Sequence, residues 1–196
     1  MNVLMIYAHP NPESFNSAIC NAVEEEFTSK NFQIRKRDLY QLKFNPILTE
    51  DGYSAFYQDK IPADIQTEQA ELIWADILVF IYPTWWNGMP AILKGYFDRV
   101  FTNGFAFRYA EDGPEGLLNK KKALIFQTTG QPEKFLKPLQ LTMAMQAVFD
   151  IGIMNFCGIE TLAHKFLYSV AYVDDETRES MLNEVKEVVE MIGNKH

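Results

Sequence analysis

Val3-Leu4-Met5-Ile6-Tyr7-Ala8, followed by His9-Pro10-Asn11-Pro12-Glu13 and then Ser14-Phe15-Asn16-Ser17-Ala18, is the stretch that decides the fold. Its first six residues run apolar with no polar alternation, the pattern of a strand covered on both faces. The proline-bearing breaker ends that run. Phe15, Ile19, Ala22, Val23 and Phe27 then recur at helical spacing behind Ser14, a residue suited to an N-cap. Strand, turn and helix in this order open a parallel α/β unit.

The alternation continues along the chain. Phe32 to Leu39 reads as a second strand, Gln66 to Ala75 as a second helix, and Ile77 to Tyr82 as a third strand, again continuously apolar. Pro90 to Phe101 reads as a helix with proline in its first turn, where the missing N–H costs nothing. Ala123 to Thr128 follows as a fourth strand, Leu136 to Phe149 as a helix, and Phe156 to Leu162 as a fifth strand. Asp175 to Ile192 closes the chain as an amphipathic helix, with Asp174 and Asp175 at its cap. Strands alternating with helices imply right-handed crossovers and a doubly wound parallel sheet with helices on both faces, here as one domain over residues 1–196. Lys43 to Asp64 reads as irregular, and its Phe44, Tyr53, Phe56 and Tyr57 predict packing over a flexible linker.

Composition narrows the function. Of 196 residues, 18 are Lys or Arg and 26 are Asp or Glu, giving a net charge of −8 that opposes a polyanionic partner, so nucleic acid is set aside. Hydrophobic residues at 47% and aromatic residues at 14% suit a globular domain able to bind something flat. Cys20 and Cys157 form no C-x-x-C pair, so neither a disulfide framework nor a metal site is expected, and both read as buried small hydrophobes. The first residues lack a basic n-region and a small-residue cleavage site, and Ile77 to Tyr82 falls far short of the ~20 apolar residues of a membrane span. The expectation is a cytoplasmic protein.

A doubly wound sheet binds its ligand outside the carboxyl ends of the strands, so the loops after the first, third and fourth strands matter most. The first, His9 to Asn16, has neither G-x-G-x-x-G nor G-x-x-x-x-G-K-S/T. It does place a helix start directly after a central strand, offering backbone N–H groups near Phe15, Asn16 and Ser17, and the Ser14 hydroxyl, to a phosphate. Taken alone, Ser14 fits equally well as a plain N-cap and His9 as an ordinary loop histidine. The third loop, Tyr82-Pro83-Thr84-Trp85-Trp86-Asn87-Gly88-Met89-Pro90, sets two tryptophans where the fold presents its ligand. Such rings pack under other segments or against a subunit, or line the face of a planar heterocycle. Thr128-Thr129-Gly130-Gln131-Pro132 ends the fourth strand with small hydroxyls and a glycine that lets a ligand approach the backbone. Together the loops suggest a flat, phosphate-bearing cofactor, and flavin fits better than a nicotinamide because the nicotinamide fingerprint is absent. Two other features read as ordinary. Lys94 and Asp98 form a solvated i,i+4 pair, and His164, after the fifth strand, is a surface or strand-end residue.

These residues carry a resemblance along nearly the whole chain. Ala8-His9 with Ser14 to Ala18, Asp38-Leu39-Tyr40 with Phe44-Asn45-Pro46-Ile47, Glu68-Gln69, Pro90 to Phe101 followed by Gly104 to Phe107, Thr128-Thr129-Gly130, Phe156-Cys157-Gly158 and Arg178 are similar in order and spacing to the flavodoxin-like NAD(P)H:quinone oxidoreductases of the DT-diaphorase type and their bacterial relatives. The resemblance implies a flavodoxin-like fold with strand order 2-1-3-4-5 and a homodimer with its active site at the subunit interface. It also implies a tightly bound flavin, FAD with FMN as the alternative. His9, Ser14, Phe15, Asn16 and Ala18 would surround the ribityl chain and pyrophosphate, with Gln69 toward the adenosine end. Pro83, Thr84, Trp85, Trp86 and Asn87, with Thr128, Thr129, Gly130 and Gln131, would hold the isoalloxazine. Arg178 matches the family's arginine that packs on adenine, which favours FAD. Trp86, Phe107 and Tyr109 would shape the substrate pocket, Tyr109 from the partner subunit.

The implied activity is a two-electron ping-pong transfer from NAD(P)H through the flavin to a quinone-like acceptor, the flavin rather than a side chain carrying the chemistry. The alternative is a redox-sensing regulatory subunit of a membrane transport system. Two departures stand out. A tyrosine and histidine that the family places downstream of the Thr-Thr-Gly turn are missing from Gln131 to Gln140, and Asn87 stands where the resemblance implies an aromatic beside Trp86, as Phe107 does where it implies a tyrosine of the gate.

Overall fold

The computed structural model describes residues 1–56 and 60–193. Tyr57 and His196 therefore lie outside the described residues. The chain runs β1 (Asn2–Tyr7), α1 (Phe15–Ser29), β2 (Gln33–Asp38), α2 (Glu50–Phe56), α3 (Ala63–Trp74), β3 (Ile77–Pro83), α4 (Ala91–Val100), β4 (Phe107–Ala110), β5 (Gly113–Gly116), β6 (Lys122–Thr128), α5 (Glu133–Leu136), α6 (Leu141–Gln146), a π-helical segment Ala147–Met154, a 3₁₀ turn Asn155–Cys157, β7 (Glu160–Leu167) and α7 (Asp175–Gly193). The main sheet has order β2-β1-β3-β6-β7 with every pairing parallel, which is 2-1-3-4-5 for the five strands read from sequence.

The continuous apolar runs have a simple cause. In β1, Leu4 and Ile6 point into a core shared with α3 and α4, while Val3, Met5 and Tyr7 point into one shared with α1 and α7. Alternate side chains thus face opposite layers, and neither face can be polar. The edge strand β2, Gln-Ile-Arg-Lys-Arg-Asp, is charged instead, and its cations fold back onto the helices. Arg35 meets Glu71 and lies over the Trp74 ring at 4.1 Å, and Lys36 meets Glu24. An edge of this kind discourages pairing with another chain.

Four features depart from expectation. The helix predicted over Leu136 to Phe149 is broken: α5 stops at Leu136, Gln140 is left-handed (φ 56°), and α6 restarts at Leu141 before widening into the π-helical segment. Pro138 explains the break, since it has no N–H to donate and its ring clashes with the preceding turn. The fifth strand begins at Glu160 rather than Phe156, because Gly158 (φ 80°) turns the chain after the 3₁₀ turn. His164 consequently lies inside β7, not after it. The antiparallel hairpin β4–β5 was not anticipated. Within Lys43 to Asp64 the structure contains α2, and Phe44 packs on Tyr96 at 5.4 Å as expected, whereas Tyr53 is exposed. Cys20 and Cys157 are buried and unbridged, and burial pushes both thiols up to about 12, which leaves them inert near neutral pH.

Candidate functional site

The loops after β1, β3 and β6 meet at the carboxyl edge of the sheet. Ser14 caps α1, its Oγ accepting the Ser17 N–H at 3.2 Å, and the Tyr7 hydroxyl lies 3.2 Å from the same oxygen. The amides of Phe15 and Asn16 belong to the first turn, where a helix presents N–H groups and the positive end of its dipole to an outside acceptor. His9 is locked by its own loop: its Nδ1 lies 3.0 Å from the Asn11 backbone nitrogen and 3.2 Å from the Asn11 carbonyl oxygen. Burial lowers its pKa, so the neutral ring is the form that sits there. The His9 and Trp85 rings are 6.2 Å apart, joining the first loop to the third.

The third loop is a tight turn. Trp85 and Gly88 exchange both backbone hydrogen bonds, at 2.9 and 3.1 Å, around Trp86 (φ 51°) and Asn87 (φ 55°). Two left-handed central residues make this a type I′ geometry, which suits Asn and Gly and strains a tryptophan by about 1 kcal/mol. Trp86 is nevertheless 102% exposed. A strained, fully solvated indole stabilises nothing in the isolated chain, so its value lies in what it contacts. Trp86→Asn should therefore raise the stability of cofactor-free protein by about 0.5–1 kcal/mol, a rise in Tm of about 1–4 °C for a chain of this size. The same variant should retain bound cofactor less well. Thermal denaturation and chromophore content check the two halves.

The end of β6 faces this turn. The Thr84 N–H donates to the Thr128 carbonyl at 2.7 Å, and the Thr129 hydroxyl donates to the Gln131 carbonyl at 2.6 Å. Asn16 is 3% exposed; its Nδ2 donates to Thr128 Oγ1 at 3.0 Å, and its Oδ1 has no partner. A Cβ built on Gly130 would meet no atom within 4 Å, so nothing in the chain fills the space beside that backbone. The loop after β7 is tied to the same place, through Val170 N–H to the Thr129 carbonyl and Ser169 N–H to the Gln131 carbonyl. Arg178 joins it by donating from Nε to the Val170 carbonyl at 3.2 Å and from a terminal nitrogen to Asp175 at 2.6 Å.

These features fit the flavin that the resemblance implies. A buried acceptor on Asn16 lacks a donor, a helix start offers amides beside it, and Gly130 leaves open space. Among the described residues no group of three or more His, Cys, Asp and Glu side chains could hold a metal.

The expected residues do not all converge. His9, Ser14, Asn16, Thr84, Trp85, Thr128 and Thr129 are linked by the contacts above. Gln69 spends its amide donors on the Val100 carbonyl and Thr102 hydroxyl, bracing α3 against the end of α4. Phe107 packs on Phe156 at 5.0 Å and Tyr109 is 74% exposed, so within one chain they do not join Trp86 in a pocket.

Sequence reasoning missed a second group. His164, its side chain fully buried, places Nδ1 2.8 Å from Asp150 Oδ1 and Nε2 3.1 Å from Gln127 Oε1, which also accepts the Tyr82 hydroxyl at 3.0 Å. Gln127 Nε2 donates to Thr84 Oγ1 at 2.7 Å and lies 3.3 Å from Met145 Sδ. Tyr82 and Gln127 form the polar floor of a cleft of about 130 Å³ whose other walls include Asn87, Gly88, Met89 and Phe149. The available signal was Gln127, a polar residue directly after the apolar run Ala123 to Phe126.

A family model described as flavodoxin-like fold matches residues 1–190 of the chain. The chain is 37% identical over 183 residues to a Haemophilus influenzae protein named "Uncharacterized NAD(P)H oxidoreductase", covering 93% of this chain and 91% of that one. It is 32% identical over 209 residues to NAD(P)H dehydrogenase [quinone] 1 of Cavia porcellus, covering 96% of this chain and 76% of that one. The solved structure of the NAD(P)H:quinone oxidoreductase from Methanothermobacter marburgensis superimposes with a TM-score of 0.89 at 28% identity, covering 96% of this chain and 97% of that one.

Proposed function

The chain belongs to the flavodoxin-like fold family that includes the NAD(P)H:quinone oxidoreductases, and from that membership we propose that it is a flavin-dependent NAD(P)H oxidoreductase. It carries two electrons in turn from NAD(P)H to a quinone-like acceptor. The observation that supports this reading most is the unpartnered, buried Asn16 Oδ1 set between the helix start of α1 and the Thr128–Gly130 turn.

A bound flavin supplies the hydride chemistry; the side chains bind, orient and exclude water. The amides of Phe15 and Asn16, with the Ser14 hydroxyl and the His9 ring, would offer polar contacts to phosphate and ribityl oxygens, and Ala18 continues that face of α1. Pro83 to Asn87 and Thr128 to Gln131 would hold the ring system; the N–H groups of Thr84, Trp85 and Thr129 are spent on Thr128, Gly88 and Leu167, so those of Trp86, Asn87, Gly130 and Gln131 would be the preorganised donors to it. Such donors take the place of the family's tyrosine and histidine, which are missing here.

FAD is the favoured flavin, because Arg178 stands one hydrogen-bonded residue away from the loop that touches Thr129. We further infer a homodimer. Phe135, Leu139, Met143, Val148 and Ile151 are all more than half exposed between α5 and the π-helical segment, and Trp86 and Tyr109 are exposed as well. Covering this surface with a second copy would complete a pocket to which Trp86, Phe107 and Tyr109 contribute, with Gln69 toward the adenosine end. No helix among the described residues is long and apolar enough to cross a membrane.

The test is to release the chromophore of purified protein by heat and weigh it, then to follow NAD(P)H oxidation with menadione. FAD with steady turnover is the expected result, and gel filtration should place the protein at twice the chain mass. FMN would keep the reductase and remove the role of Arg178. Protein that takes up neither flavin would overturn the reading.

A further inference from the structure

The buried group around His164 is used by nothing in the mechanism above, yet it ends on Thr84, a residue of the cofactor loop. Its hydrogen bonds have a direction, and that direction can be worked out from one end. Met145 Sδ has no hydrogen to give, so the Gln127 group 3.3 Å from it is the donating amide nitrogen rather than the oxygen. The carbonyl oxygen of Gln127 then faces both the Tyr82 hydroxyl and His164 Nε2, at 3.0 and 3.1 Å. An oxygen cannot donate, so Tyr82 and Nε2 must. The proton on Nε2 is required whichever of Nδ1 and Asp150 holds the proton between them at 2.8 Å.

At the other end, Gln127 Nε2 donates to Thr84 Oγ1 at 2.7 Å, so the Thr84 hydroxyl hydrogen is turned away from Gln127. The Thr84 backbone is itself pinned to the Thr128 carbonyl, so the hydroxyl cannot swing with its loop. The ring is held by packing as well as by bonding: it stacks on Phe166 at 4.6 Å with planes 7° apart, and meets Phe149 edge-on at 5.8 Å. Asp150 comes from the π-helical segment, a widened geometry that recurs at functional sites.

We propose that His164 and Asp150 are positioning residues that act through Gln127 to fix the Thr84 hydroxyl as a hydrogen-bond donor into the site, toward an acceptor atom of the bound ring system. The inference rests on the flavin reading above. If Nε2 were bare, the Gln127 amide would reverse, Thr84 would turn its hydrogen inward to Gln127, and the site would lose a donor while the sulfur of Met145 faced an oxygen.

The first measurement needs no cofactor. In cofactor-free protein labelled with ¹⁵N-histidine, the His164 resonances, identified by their absence in His164→Leu, should show a proton on Nε2 at neutral pH, and a bare Nε2 there would overturn the proposal. Asp150→Asn is the gentler companion: its amide N–H can donate to Nδ1, which keeps the proton on Nε2, and the same spectrum should show that proton in place in a folded protein.

The second measurement is flavin affinity by fluorescence quenching. Thr84→Val and His164→Leu should each weaken binding about three- to tenfold, the range of one hydrogen bond, whereas Asp150→Asn should keep the affinity of the unaltered protein. The double variant Thr84→Val/His164→Leu should be no weaker than the worse single variant. Additive losses, full affinity in His164→Leu, or a loss in Asp150→Asn while its Nε2 stays protonated would overturn the proposal while leaving the flavin reading intact. Failure of the unaltered protein to bind either flavin would overturn both.

Discussion

Gly95→Ala should destabilise the protein by about 3 kcal/mol or more, through overpacking against backbone. Gly95 lies in the middle of α4 with Pro46 laid across it, and a Cβ there would sit 2.2 Å from the Pro46 carbonyl oxygen and 2.5 Å from its Cα. Neither atom belongs to a side chain that can rotate aside. The whole segment would have to lift, and it is anchored by Phe44 packed on Tyr96 and by Arg99, which donates to the Asn45 carbonyl at 2.7 Å and pairs with Asp64 at 2.9 Å. Helix propensity works the other way, since alanine favours a helix over glycine by about 1 kcal/mol, so the overlap must exceed that gain. A loss of about 3 kcal/mol corresponds to a fall in Tm of about 6–12 °C for a chain of this length. A scan showing a Tm equal to or above that of the unaltered protein would mean that the segment yields freely. Gly130→Ala is the contrast: a Cβ there meets nothing, so stability should stay within about 0.5 kcal/mol.

Glu68→Leu should cost about 3–5 kcal/mol, as expected when one partner of a buried ion pair is removed. Glu68 is 4% exposed in α3 and takes both Arg37 Nε, at 3.0 Å, and a terminal Arg37 nitrogen from the edge strand β2. The Tyr96 hydroxyl donates to the same carboxylate at 3.4 Å, and burial with the nearby Glu68 charge holds that phenol well above its usual range. Without the carboxylate, a guanidinium that cannot shed its proton stays half-buried beside an unpaired phenol. Removing both charges is the informative control. Arg37→Met/Glu68→Leu should recover most of the loss, because packed apolar groups replace a buried pair at little net cost. Denaturant titration of the three variants reads the coupling, and equal losses in the single and double variants would show that the pair contributes no such penalty.

Neither prediction was available before the fold was known. Glu68 and Arg37 are 31 positions apart, and although Glu68 stands in the family pattern nothing in the sequence pairs it with Arg37. Gly95 appeared within a helix as part of a family pattern, with no hint of what crosses it. The same holds at the site. Ser14 as cap and the three loops at the carboxyl edge were legible, because a cap is decided within three residues and loop position follows from strand order. His164 reads from sequence as a surface or strand-end residue because the apolar run Phe156 to Leu162 sets the fifth strand too early, whereas β7 runs on to Leu167.

What the sequence by itself determined are the features set by neighbours and by period: the two apolar central strands, the alternation that makes the sheet parallel, the cap on α1 and the aromatic loop after β3. Only the tertiary structure decided that Tyr82, Gln127, Asp150 and His164 form one hydrogen-bonded group, that Trp86 stands strained and solvated, and that Pro46 leaves α4 no room for a methyl group. The reason is physical. Burial pattern is written into each segment, whereas a hydrogen bond between residues 37 positions apart, or a backbone laid across a helix, exists only once the sheet has fixed the distance between them.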